Sequence, residues 1–238
     1  MEDKTKIAAA AVVAAGLALG GFFPGYYYYQ THHNARTVTV KGLAEQDVQA
    51  DMGIWTLQFT VSGNDLNAEQ TKIVKQAGEV QQFLLRSGFA ENEISVGRIE
   101  TTDLMANPYR DAAALESSRF ILSQTITVRS GMVKKIAEAM SNSNELIAKG
   151  IVFSSQNANY FFTKLNDIKP KLLQEATQNA NKSAQEFAAS SGSRVGQIYQ
   201  ANQGVISVQP RDDPNAFEPS QIDKRVRVVS TVTYLLQD

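Results

Sequence analysis

LNDIKPKLLQEATQNANKSAQEFAASSG, residues Leu165 to Gly192, reads as one long helix. Pro170 falls in its first turn, where a missing N–H is tolerated, and Gly192 follows its end, where a left-handed residue closes a helix. Leu173, Ala176, Ala180, Ala184, Phe187 and Ser191 recur at helical spacing. A face built mainly of alanine lets the helix lie close to a sheet.

Strands flank this helix on both sides. KGIVFSSQNANYFF precedes it; RVGQIYQANQGVISVQ and KRVRVVSTVTYLL follow, separated by the polar loop PRDDPNAFEPSQID. The first half shows the same order. IWTLQFTV puts Trp55, Leu57, Phe59 and Val61 on one face and Thr56, Gln58 and Thr60 on the other, the alternation of a half-buried strand. Ile73, Ala77, Val80 and Leu84 then mark an amphipathic helix that stops near Gly88. EISVGRIETTDL and SRFILSQTITVRS read as two more strands around a loop containing Pro108, and GMVKKIAEAMSNSN reads as a short helix running into a polar turn. The expectation is an α+β fold with largely antiparallel strands, in two sheet-plus-helix units over 36–130 and 131–238.

The N-terminal end has a different character. IAAAAVVAAGLALGGFF, Ile7 to Phe23, carries no charge and as a helix covers roughly 25 Å, close to the apolar thickness of a bilayer. Phe22, Phe23, Tyr26, Tyr27, Tyr28 and Tyr29 follow at its end, matching the aromatic belt found where hydrocarbon meets water. Residues 1–30 are therefore read as a membrane anchor or signal segment. Pro24 and Gly25 are expected to end the helix, and 31–35 form a polar stalk ahead of the domain at 36–238. Retention as an anchor is favoured by the tyrosines, which would have nothing to bury against on a free terminus. Ala18-Leu19-Gly20 also suits signal cleavage, giving a soluble periplasmic product instead. Gly16 and Gly20 have the spacing that lets two anchor helices pack closely.

The chemistry-bearing residues are sparse. The formal charge of −1 disfavours nucleic acid, which needs a surplus of Lys and Arg to displace counterions. There is no cysteine for a disulfide or thiolate, and the only histidines, His32 and His33, sit together on the stalk. No metal site, cofactor fingerprint or catalytic constellation is expected. Asp212 and Asp213 lie in a Pro-flanked loop beside Arg211, and Asp47 and Asp51 read as turn residues. Arg225 and Arg227 alternate with valines and share one sheet face, where they serve as edge charges, a subunit contact or an anion site.

VTVKGLAEQDVQADMGIW, SGNDLNAEQ, the long alanine helix with its following Gly-Ser-x-x-Gly, and the closing KRVRVVSTVTYLL together resemble the SIMPL-domain family, which includes periplasmic immunogenic and oxidative-stress-defence proteins. The resemblance covers Arg36 to the C-terminus. It departs where many members have Gly-x-Gly, here Gly42 with Ala44, and where many have Pro-Asp, here Ala50-Asp51. The resemblance implies a periplasm-facing α+β domain in the bacterial cell envelope, a homo-oligomer and a role in envelope or oxidative-stress defence, with no family catalytic residue to carry over. The expected function is thus a non-enzymatic, inner-membrane-anchored protein acting through self-association and partner contacts. The alternative is a module binding a small ligand or peptide, its site between the two halves or near 105–118.

Overall fold

The computed structural model describes residues 36–106 and 118–237, with Ala14, Gly16, 18–23, Gly25, Tyr26 and Tyr28. Its strands are β1 (Thr37–Gln49), β2 (Met52–Gly63), β3 (Ile94–Asp103), β4 (Phe120–Ser130), β5 (Val152–Phe161), β6 (Arg194–Pro210) and β7 (Asp223–Gln237). Its helices are α1 (Leu66–Arg86), α2 (Val133–Asn142), α3 (Asn144–Ala148) and α4 (Leu165–Ser190). One sheet has the order β3-β4-β2-β5 and the other β1-β7-β6. The chain divides into two compact units, each gathered from separated segments.

The unit made of Glu45–Leu172 and Ile206–Arg227 holds the larger core. The alternation of β2 sends Trp55, Leu57, Phe59 and Val61 inward, and antiparallel pairing sets them opposite Val128, Ile126, Gln124 and Leu122 of β4. Neighbours opposed in this way are the unit of sheet stabilisation. On the other side of β2 lies β5, also antiparallel, so a strand from the second half of the chain completes a sheet begun in the first. α1 covers β2 and β4 with Ile73, Val80, Phe83 and Leu84. Asp65 starts α1 by accepting hydrogen bonds from the N–H groups of Asn67 and Ala68 at 2.9 and 3.3 Å, satisfying two donors the helix itself leaves open. The polar turn expected after α2 is instead a second short helix, α3, whose Leu146 is fully buried.

The register between β3 and β4 shifts between Val96 and Ile99. The Gln124 side chain turns toward this irregularity, its Nε2 donating to the Gly97 carbonyl at 2.9 Å. A glutamine thus takes a place in the core-facing row of β4, between Leu122 and Ile126.

The unit made of the segment ending at Ala44, Leu173–Val205 and the chain from Val228 places α4 on strands. Its core contains Val38, Ala180, Ala184, Val232 and Tyr234. The buried row of α4 is Leu172, Ala176, Ala180, Ala184 and Ala188. This corrects the expected stripe in three places: Phe187 is 55% exposed, Leu173 is only partly covered, and Ser191 is exposed just past the helix end. The reason is geometric. A surface in contact with a helix follows one inclined row at spacing four, whereas the mixed three-and-four pattern follows the axis. Pro170 also falls in the second turn, because α4 begins at Leu165.

Close approach explains the alanines. A Cβ on Gly42 of β1 would stand 1.9 Å from the Ala176 carbonyl oxygen and 2.4 Å from the Ala180 nitrogen. The helix backbone therefore rests on the strand where Gly42 offers no side chain. Past the helix end, Gly192 has φ of +71°, in the left-handed region that closes helices.

Near the N-terminus the described positions from Ala14 to Tyr28 are helical. Gly25, Tyr26 and Tyr28 are among them, so the helix does not end at Gly25 as expected; Pro24 lies outside the described residues. Among the described residues no helix is long and apolar enough to cross a membrane.

Candidate functional site

A groove of about 690 Å³ runs along α4. One wall carries Gln174, Gln178, Asn181 and Gln185, spaced four, three and four residues apart so that successive turns present an amide on the same side. Lys182 adds a cation. Leu173, Ile198 of β6 and Tyr234 of β7 supply the apolar lining. Within the wall, Gln185 Nε2 donates to Asn181 Oδ1 at 2.8 Å and Asn181 Nδ2 donates to the Tyr234 hydroxyl at 3.5 Å. Tyr234 is itself buried and acts as a fixed acceptor rather than an open stacking face. Amides both donate and accept, so the wall can hold neutral polar ligands. Among the described residues no carboxylate lines it, and its ionisable groups are the Lys182 ammonium and the Tyr234 phenol.

The edge of the three-stranded sheet is the second feature. β6 has a strand neighbour on one side only among the described residues. From Val195 to Gln209 it carries no charge. Ile198, Tyr199 and Val205 are 54, 63 and 84% exposed. The opposite edge strand, β1, carries Lys41, Glu45 and Asp47. Edges are normally blunted with charge, proline or bulges, and β6 has no charge or proline between Val195 and Gln209.

Arg225 and Arg227 do lie on one face of β7, opposite the buried row. Arg225 Nε donates to Asp47 Oδ1 at 2.7 Å, and Arg227 Nε stands 3.6 Å from Glu45. Beyond them Arg211 reaches Asp223 at 3.2 Å and Asp212 at 2.8 Å, and Gln49 Nε2 donates to Asp223 at 2.8 Å. The hydrogen bond from Arg225 holds the Asp47 carboxyl below the usual carboxylate range, and that from Arg211 does the same for Asp212. Asp213 accepts from the Asn215 N–H at 2.9 Å, an ordinary turn contact. Asp51 accepts from Thr163 N–H and Oγ1 at 2.7 and 3.0 Å.

Lys224 is a residue the sequence reading passed over. It is fully buried in β7, donating to the Glu218 carbonyl at 2.8 Å and paired with the Glu218 carboxylate. Its phase with Val226 and Val228 was the available signal. The groove amides had a signal too, their helical spacing, but polar residues at that spacing also describe a solvated face.

Of the expected membrane-interface residues, Phe22, Phe23, Tyr26 and Tyr28 are exposed, and Tyr27 and Tyr29 lie outside the described residues. The Phe22 ring stacks on Tyr26 at 5.8 Å and meets Phe23 edge-on at 6.1 Å. A Cβ added to Gly16 or Gly20 would meet nothing within 4 Å, and His32 and His33 fall outside the described residues. Most of the 105–118 loop does as well; its base is closed by Arg119 Nη2 on Asp103 Oδ2 at 2.9 Å, which lowers the Asp103 proton affinity. Among the described residues no three His, Asp or Glu side chains group to hold a metal ion.

The family model for SIMPL, a protein of unknown function (DUF541), matches residues 38–234. The chain belongs to the SIMPL family. The match spans both sheets, from the first residues of β1 to Tyr234 at the SIMPL domain's groove. Comparison with curated proteins gives no match. Among solved structures, a hydrolase from Listeria innocua is similar at 11% identity and a TM-score of 0.25, covering 78% of this chain and 91% of its own. An uncharacterized conserved protein from Listeria innocua shares 13% identity at a TM-score of 0.23, with the same coverage. Likeness at this level carries no argument about fold or activity.

Proposed function

We propose that this SIMPL-domain protein is non-enzymatic and works by self-association and partner contact, tethered to the inner membrane by its N-terminal segment and facing the periplasm in envelope or oxidative-stress defence. The observation that carries the reading is β6: a sheet edge with no charge from Val195 to Gln209 that exposes Tyr199 and Val205 on a strand with a single strand neighbour among the described residues. Such an edge is a template for another strand. The exposed rings of Phe22, Phe23, Tyr26 and Tyr28 support the tether, because tyrosine and phenylalanine concentrate at the boundary of the apolar layer. Native mass spectrometry of the detergent-solubilised full chain tests self-association: oligomers are expected at micromolar concentration, and a strict monomer overturns it. N-terminal sequencing of material from the membrane fraction tests the tether. A mature start beyond Gly20 in an osmotic-shock fraction overturns that part alone.

The groove on α4 favours a second reading, a module for a neutral polar ligand or peptide. Its wall of amides over an apolar lining from Leu173 and Ile198 supports the binding of such a ligand. A ligand bound only by the folded chain raises its melting temperature, and Gln178→Leu with Lys182→Ala is expected to abolish that shift.

A further inference from the structure

We propose that β6 pairs antiparallel with β6 of a second copy, in the register that places Asn202 on the two-fold axis. The inference rests on the self-association reading and names its surface. In a two-fold antiparallel pair, a residue a given number of positions before the centre faces the one equally far after it. With Asn202 at the centre, Tyr199 of each copy stands opposite Val205 of the other. These are two of the most exposed apolar side chains in the described structure, at 63 and 84%. A β-branched residue facing an aromatic one is a favourable cross-strand pair. Ile198 and Ile206 stand four positions to either side, so these two apolar pairs are disposed symmetrically about Asn202, while polar Gln197 and Ser207 follow at five and Val208 and Val195 meet Gly196 and Gln209.

Charge selects the occupant. A strand meeting its own copy is penalised for every like charge brought face to face. From Val195 to Gln209 there is none, so the pairing meets no repulsion. An edge built for a foreign charged strand would carry complementary charge, as the Glu45 and Asp47 row of β1 does toward Arg225 and Arg227. Moving the centre to Ala201 or Gln203 leaves Tyr199 facing Gln203 or Ser207 and Val205 facing Gln197 or Ala201, so that neither meets a large apolar partner.

The chain contains no cysteine, so single cysteines report only their own neighbourhood. In the full chain in detergent, cysteines at each position from 197 to 205 are oxidised mildly and the covalent dimer is quantified. The yield is expected to peak at Asn202→Cys and fall away on both sides. Asn202→Lys, which opposes two ammonium groups, is expected to weaken the dimer at least tenfold. Tyr199→Lys combined with Val205→Glu places each Lys opposite a Glu of the other copy, and is expected to dimerise more tightly than either single variant. Circular dichroism melting checks that each variant folds. Oligomers by native mass spectrometry with no cross-link maximum on β6 overturn the edge pairing and leave self-association standing. A monomer at all concentrations removes both, and β6 cross-linking to another polypeptide alone assigns the edge to a foreign strand and overturns the proposal.

Discussion

Replacing Gly42 by alanine should separate α4 from β1. The added methyl would lie 1.9 Å from the Ala176 oxygen, 2.4 Å from the Ala180 nitrogen and 2.9 Å from the Ala180 Cα, where ordinary contact begins at about 3.4 Å. Relief requires a shift of about 1.5 Å, and because the obstructing atoms are backbone, no side-chain rotation supplies it. Moving the helix opens space beneath Ala180 and Ala184, so overpacking at one point becomes loss of contact along the row. The cost should reach about 3 kcal/mol, the upper part of the range for overpacked cores. For a chain of this size that lowers the melting temperature by roughly 6–12 °C. Gly78, inside α1, is the control, since a Cβ added there would meet nothing within 4 Å. There alanine removes the conformational cost of glycine and should stabilise by roughly 0.5–1 kcal/mol. Thermal unfolding followed by circular dichroism reads both. A Gly42→Ala chain melting within about 2 °C of wild type would refute the backbone contact between helix and strand.

Three further outcomes follow from the same geometry. Ala180→Leu should unfold the α4 unit while Phe187→Ser stays within about 0.5 kcal/mol, since the phenylalanine is on the solvent side; urea midpoints distinguish them. Glu218→Ala, which leaves the Lys224 ammonium enclosed without its carboxylate, should cost about 3 kcal/mol, whereas Lys224→Met should be close to neutral. Equal loss in the two variants would contradict that reading. Asp47, Asp103 and Asp212 all bind protons less readily in the folded chain because of Arg225, Arg119 and Arg211. Their contribution is present above the unfolded carboxylate range near pH 4 and is lost as pH falls through their lower folded values, so acid titration of Asp47→Asn should show a shallower decline than wild type.

Periodicity makes the larger core legible. Trp55, Leu57, Phe59 and Val61 alternate without exception, and Ile73, Ala77, Val80 and Leu84 keep one helix face, because in both cases burial follows local geometry. Strand partners are not legible: β5 joins β2 across a long stretch of chain, and pairing at that separation depends on which edge is open rather than on the strand's own pattern. Phe187 misleads because its size suggests burial while the contact row of α4 runs through the smaller Ala184 and Ala188. Lys224 escapes for the opposite reason. A charged residue looks solvated, yet its parity with Val226 and Val228 directs it to the interior, where Glu218 meets it. The groove on α4 is invisible in a single helix, since Gln174, Gln178 and Gln185 form a wall only once β6 and β7 supply Ile198 and Tyr234.

Sedimentation equilibrium of the full chain in density-matched detergent, wild type beside Asn202→Lys, bears most directly on whether this body acts by meeting its own copies. Wild-type chain should sediment as dimers or larger assemblies at micromolar concentration, with the variant shifted toward single chains. A wild type that sediments as one chain throughout that range would contradict it.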